Sequence, residues 1–308
     1  MHRYSYYKTA ACTPNVSIGD PQANKEEILN CIQKLDSDTQ LVVFPELCIT
    51  GYTCQDLFYE HTLLNKAKQV LFEIVEELPE NLVAVLGLPL EIDNKLYNCA
   101  AICFNHDILG IQVKTYIPSY NEFYETRWFS SASELKENTT FTYKDKKVPV
   151  SNHIVFKDTT TFACLGVEIC EDLWVTIPVS STHALAGANV LCNLSASNEI
   201  ISKANYRRNL VKDQSAKCYA GYVYASAGPT ESSSDLVFSG HNLICENGAI
   251  LSETKTDKII YGQIDLDHLN HDRLHYKTSM QDLFHVNYTT VEFASKPIHE
   301  IEFDRYID

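Results

Sequence analysis

The sequence has no stretch approaching the roughly 18 uninterrupted apolar residues of a membrane-spanning helix, and its start, Met1 to Tyr7, lacks the apolar segment of a secretory signal. A cytoplasmic protein without a membrane partner is the expectation. Excess positive charge is missing too: 25 Lys and Arg stand against 40 Asp and Glu, a formal net charge of -15. Such a chain repels nucleic acid and anionic membrane at long range, so neither is expected as a partner, and solubility is the simple reading of the charge. Eleven cysteines are present, an odd number, but no C-x-x-C spacing, so neither a metal knuckle nor a redox pair is indicated. Several fall in apolar runs (Cys99, Cys103, Cys164, Cys192, Cys245) and read as reduced core residues. H-E-x-x-H is absent; His268, His271 and His275, at i, i+3 and i+7, could share a helix face, where a zinc site stays open and a solvated polar face is the preferred reading. With no repeat of fixed period and no linker-like stretch, residues 1–308 are expected to form one domain.

What is present is an alternation of strand and helix patterns. Tyr7–Cys12 reads as a strand, followed by Asp20-Pro21 as N-cap and first helical residue, with Ile28, Leu29, Ile32 and Leu35 on one helical face. Leu41–Phe44 is a continuous apolar run suited to a strand buried on both sides. A helix is predicted between Asp56 and Glu80, ended by Pro79, and strands over Leu82–Leu86, Leu96–Phe104 and Ile108–Tyr116. Residues 130–160 read as loop and short strands. Further on come a short helix at Thr182–Ala186, a strand at Val190–Leu194, a helix at Lys203–Tyr219 and a strand at Gly221–Ala225. Gly228–Ser234 reads as a flexible loop, His241–Cys245 and Ala249–Glu253 as a hairpin across Asn247-Gly248, and Lys258–Asp265 as a last strand. The fold class is α/β with a large, partly antiparallel sheet system.

Three strand ends carry chemistry. The run Phe162–Trp174 ends on Cys170 between acids, which makes Cys170 a candidate nucleophile, against the alternative of one more buried small hydrophobe. Leu41–Phe44 delivers Glu46 to a strand end, where a solvated loop acid is an equal reading. Lys114 is the only cation in Gly110–Pro118, and a lysine there must reach water or meet a carboxylate, because an unpaired buried ammonium is costly. A thiol attacking an amide or nitrile carbon needs a base, a donor for the oxyanion and a proton for the leaving nitrogen. Glu46 can serve as the base, Lys114 as the oxyanion's cation and Cys170 as nucleophile, with the N–H of Glu171 as a second donor.

Glu, Lys and Cys in that order on successive strand ends resemble the carbon-nitrogen hydrolase (nitrilase) superfamily. Phe44–Tyr52, Lys114–Pro118 with Tyr120–Glu125 and Arg127–Phe129, Glu168–Trp174, and Asn193–Glu199 with Lys203 and Arg207-Arg208 are similar to the glutaminase domains of glutamine-dependent NAD synthetases. The resemblance implies a four-layer α-β-β-α sandwich with the triad at one edge of the facing sheets. It implies that Glu46 is general base, Lys114 oxyanion stabiliser and Cys170 the nucleophile that forms a γ-glutamyl thioester and releases ammonia. Glu122, eight residues after Lys114, takes the place of an additional glutamate that positions substrate or assists proton transfer, and Tyr120, Glu171 and Ser197 take places that hold the amino and carboxylate ends of glutamine. A homo-oligomer is implied as well. The S-G-G-x-D-S loop of a synthetase domain does not occur in the sequence. ATP and magnesium are therefore expected only in a separate synthetase domain or subunit that accepts the ammonia, with no cofactor for this chain. The alternatives are a stand-alone amidase acting on another small amide and a noncatalytic partner module.

Overall fold

The computed structural model describes residues 5–281, 285–298, 303 and 305. Its elements run β1 (Tyr6–Cys12), α1 (Pro21–Gln33), β2 (Leu41–Val43), α2 (His61–Glu77), β3 (Val83–Ile92), β4 (Lys95–Phe104), β5 (Asp107–Val113), β6 (Ser119–Tyr120), β7 (Phe123–Tyr124), β8 (Thr140–Tyr143), β9 (Lys146–Ser151) and β10 (Ile154–Asp158). The second half continues with β11 (Cys164–Ile169), α3 (Val179–Leu185), β12 (Val190–Ser195), α4 (Lys203–Lys217), β13 (Gly221–Ser226), β14 (Asn242–Glu246), β15 (Ala249–Thr254), β16 (Ile259–Asp265), α5 (Leu266–His275) and β17 (Thr289–Phe293). One sheet has the order β16-β1-β2-β3-β4-β5-β9-β8, the other β15-β14-β13-β12-β11-β10-β17.

The side-chain alternation of the strands builds the layers. Leu41 and Val43 of β2 point into the space between the sheets, where they join Leu165, Val167 and Ile169 of β11 and Val190, Cys192 and Leu194 of β12. Val42 points the other way, to a second core made with Ile28 and Ile32 of α1 and Val70, Leu71 and Ile74 of α2. On the far side, Leu191 of β12 and Tyr222 and Tyr224 of β13 pack with Ala184 of α3 and Val211 of α4. The result is the four-layer α-β-β-α sandwich, and it explains why the central strands are apolar without interruption. β1, β2 and β3 are parallel, as are β11, β12 and β13, with α1, α2, α3 and α4 as their crossovers. Two sets of parallel strands thus end at the same edge, where α/β folds place binding sites. No helix among the described residues is long and apolar enough to cross a membrane.

Several expectations need correction. The helix predicted from Asp56 is divided: Gln55–Tyr59 is a 3₁₀ turn, and α2 starts at His61 after an extended Glu60. β3 continues past Leu86 to Ile92 through Pro89, tolerated because β2 pairs it only as far as Val85 and leaves that edge needing no strand donor. β17, parallel to β10, is an unforeseen strand. Gly228–Ser234 is no flexible loop: Pro229–Glu231 is a 3₁₀ turn, and the buried Glu231 carboxylate accepts the Tyr52 N–H at 2.7 Å and the Thr53 hydroxyl at 3.1 Å. The eleven cysteines, by contrast, are free and buried as expected. His268, His271 and His275 lie exposed on α5, and no group of three metal-ligating side chains occurs among the described residues.

α3 lies close on β11 because Gly166 has no Cβ, which would stand 2.7 Å from that of His183. The fully buried His183 holds the Val167 carbonyl through Nε2 at 2.8 Å, and burial lowers its pKa to about 4. Between about pH 6.5 and 4 the unfolded chain binds a proton here that the folded chain refuses, so this residue's contribution falls as pH drops. From pH 7 to 5 the loss is about 2 kcal/mol. Urea unfolding at both pH values should give wild type and His183→Gln pH dependences that differ by that amount; an equal pH dependence in the two would contradict the buried neutral imidazole.

Candidate active site

Glu46 follows β2, in a segment laid directly on β3. This contact requires Gly87, where a Cβ would meet the Leu47 nitrogen at 2.4 Å and the Pro45 oxygen at 2.5 Å. The carboxylate is buried and fully engaged. Its Oε1 accepts from Lys114 Nζ at 2.6 Å and from Asn98 Nδ2 at 2.7 Å, and its Oε2 accepts the Ala196 N–H at 2.9 Å. Lys114, one residue past β5, has no solvent exposure, and its own N–H donates to the Asn98 carbonyl at 2.9 Å. The ammonium also donates to both Glu125 oxygens at 2.8 Å, and Tyr52 donates its hydroxyl to Glu125 Oε1 at 2.8 Å. Burial opposes the charge on Lys114, but Glu125 and Glu46 overcome it and raise the pKa well above that of a free lysine. Burial, partly offset by Lys114, raises the pKa of Glu125.

Cys170 follows β11 as the first residue of a 3₁₀ turn ending at Leu173, with φ of 45°. A non-glycine residue in this left-handed region is uncommon and costs backbone energy, which the surrounding structure must hold in place. Asp172 supplies the hold. Its Oδ2 accepts the Ile169 N–H at 3.1 Å, and its Oδ1 accepts the N–H groups of Thr115 at 3.1 Å and Tyr116 at 2.8 Å. One buried carboxylate thereby ties the cysteine turn to the residues after Lys114. Asp172→Asn turns an amide donor toward at least one of these N–H groups. It is expected to destabilise the fold by about 1–3 kcal/mol and to lower turnover per folded molecule, read by urea unfolding and initial rates; unchanged values of both would deny Asp172 this role.

The pKa of the Cys170 thiol is pushed up by burial first and then by Glu46 and Glu125; Lys114 and the Ala196 N–H act the other way. Cys170 therefore rests as a thiol, and any role as a nucleophile requires a base at the moment of reaction. Glu46, Lys114 and Cys170, far apart in sequence, meet at one sheet edge. Glu122 does not join them. Asn121, at φ 51°, turns the chain between β6 and β7; Glu122 accepts from Asn198 Nδ2, and the buried Glu125 at the start of the next 3₁₀ turn reaches Lys114 instead. The additional glutamate beside the lysine is Glu125. Tyr120 donates its hydroxyl to Glu171 Oε2 at 2.8 Å at the site's exposed rim, and Ser197 Oγ, buried, accepts from Arg207 Nη2 at 3.1 Å.

Glu125, Asn98, Tyr52, Asp172 and Ala196 were not singled out by sequence. Asn98 alone left a trace, as a polar residue inside an apolar strand. Lys203, at the start of α4, sits 5.0 Å from the Trp174 ring centre and 5.6 Å from that of Phe123 and donates to Asn198 Oδ1. Burial lowers its pKa, against the nearby carboxylates of Glu122 and Glu171.

The carbon-nitrogen hydrolase family model matches residues 8–273, which contain every residue of this site. The chain belongs to the carbon-nitrogen hydrolase family. It is therefore an enzyme, with the architecture of the nitrilase superfamily. The glutamine-dependent NAD(+) synthetase of Mycobacterium tuberculosis strain H37Rv is 39% identical over 258 residues, covering 82% of this chain and 38% of that protein. A solved glutamine-dependent NAD(+) synthetase from Cytophaga hutchinsonii superposes with a TM-score of 0.75 at 29% identity, over 84% of this chain and 43% of that one. This carbon-nitrogen hydrolase thus spans less than half the length of those relatives. A carbon-nitrogen hydrolase from Helicobacter pylori shares the fold along 96% of its own length and 90% of this chain, with a TM-score of 0.71 at 18% identity.

Proposed function

We propose that this chain hydrolyses the side-chain amide of glutamine through a cysteine thioester and supplies the ammonia to NAD synthesis from deamido-NAD. The observation that carries the chemistry is the buried cluster in which Lys114 joins Glu46 and Glu125 beside Cys170. The likeness to glutamine-dependent NAD synthetases supports the choice of amide. Glu46 takes the thiol proton as sulfur attacks the amide carbon, and the oxyanion forms against Lys114 Nζ and the Glu171 N–H. Glu46 then gives its proton to the leaving nitrogen, ammonia departs, and a thioester remains. Water attacks the thioester, Glu46 takes the water's proton, and glutamate leaves as the thiol re-forms. Glu125, held by Tyr52, keeps the ammonium aimed while Glu46 changes protonation.

The rim suits a substrate that ends in a zwitterion. Glu171, paired with Tyr120, and Glu122 offer anions to an α-ammonium, and Lys203 offers a cation to an α-carboxylate. Ser197 borders the same site. The acceptor of ammonia would be a synthetase domain or subunit, to which ATP and magnesium belong. Competition between glutamine and short aliphatic amides tests the reading: glutamine is expected to win, and preference for an aliphatic amide would replace it with a stand-alone amidase.

A further inference from the structure

Among the described residues Arg207 of α4 is the largest fully buried side chain, and its hydrogen bonds go to none of Glu46, Lys114 and Cys170. Its Nη2 donates to Ser197 Oγ at 3.1 Å and to the Asn198 carbonyl at 3.0 Å; its Nη1 donates to His241 Nδ1 at 2.9 Å and to Glu199 Oε2 at 3.2 Å. His241, also buried, can accept there only as the tautomer that carries its proton on Nε2, which points at Glu253 Oε1, 2.7 Å away. Glu253 is fixed in turn by Arg208, whose Nε and Nη2 donate to it at 2.6–2.9 Å. The fork of Arg207 therefore clamps Ser197–Glu199 against a braced histidine. One residue before the clamp lies Ala196, whose N–H holds Glu46 Oε2 at 2.9 Å and faces the Cys170 thiol.

We propose that Arg207, braced by His241 and Glu253, is a positioning residue that fixes the Ala196 N–H, and through it the carboxylate of Glu46 that deprotonates Cys170. This rests on the base and nucleophile roles given above, not on glutamine as substrate. A buried arginine that served stability alone would leave the reactivity of a folded Cys170 unchanged. The guanidinium makes this clamp because it presents donors in a planar fork; a lysine has one nitrogen and cannot span Ser197, Asn198 and His241 together.

The test is alkylation of Cys170 by iodoacetamide between pH 6 and 9, followed on the Cys170 peptide by mass spectrometry, in wild type, Arg207→Lys, Arg207→Met and His241→Gln, with circular dichroism to establish folding. Arg207→Met is expected to react at least about tenfold more slowly, the size of one lost hydrogen bond within the site, with its profile displaced to alkaline pH as the base is lost. Arg207→Lys should fall between the two, and His241→Gln should shift the same way by a smaller factor. If Arg207→Met does not fold, His241→Gln decides. Wild-type rate and profile in the folded variants overturn the proposal, as does a wild-type Cys170 that iodoacetamide never labels. Failure of the glutaminase reading shows separately, as a wild type that alkylates as described yet releases no ammonia from glutamine.

Discussion

Lys114→Met is expected to lower turnover by at least about 10²-fold, the effect of removing one oxyanion donor, and to destabilise the fold by about 3–5 kcal/mol. Both effects have one source. The ammonium has no solvent exposure and donates at 2.6–2.8 Å to Glu46 and Glu125, themselves buried. Without it two carboxylates face each other in a low-dielectric interior, so at least one takes up a proton, and a protonated Glu46 cannot act as base. Urea unfolding together with rates normalised to the folded fraction separates the two effects. A variant that loses stability but keeps its activity per folded molecule would show that Lys114 only neutralises charge.

Cys170→Ala is expected to abolish turnover, by more than about 10⁴-fold, because the proposed thioester forms on its sulfur. Its stability should stay within about 1 kcal/mol of wild type, since the turn geometry is set by Asp172 and not by the thiol. Rates and unfolding curves on the same preparation check both statements. Retained activity, or loss explained entirely by unfolding, would remove Cys170 from the mechanism.

The three strand ends were legible because each is a local event, a continuous apolar run that stops at one chemistry-bearing residue. The layers were legible for the same reason, as the alternation of Leu41, Val42 and Val43 between two cores illustrates. What the sequence hid depends on partners distant along the chain. Glu122 and Glu125 are indistinguishable as spacing after Lys114; the turn at Asn121 decides which one reaches the ammonium. Glu231 stands in a segment composed like a free loop, yet three donors from residues 52 and 53 hold its buried carboxylate. Gly87 reads as an ordinary strand glycine until the segment carrying Glu46 is seen lying against it. β17 lies after the last strong hydrophobic run, mostly exposed with only Phe293 buried, and is specified by pairing with β10.

The central claim is that this carbon-nitrogen hydrolase opens the side-chain amide of glutamine and uses Cys170 as its nucleophile. Its most direct test is the simultaneous measurement of ammonia and glutamate released from glutamine by the purified chain, with Cys170→Ala alongside, in the presence and absence of an ammonia-accepting synthetase. Equimolar ammonia and glutamate from the wild type, and neither from the variant, is the predicted result. Equal release from both chains, or none from the wild type under either condition, would contradict it.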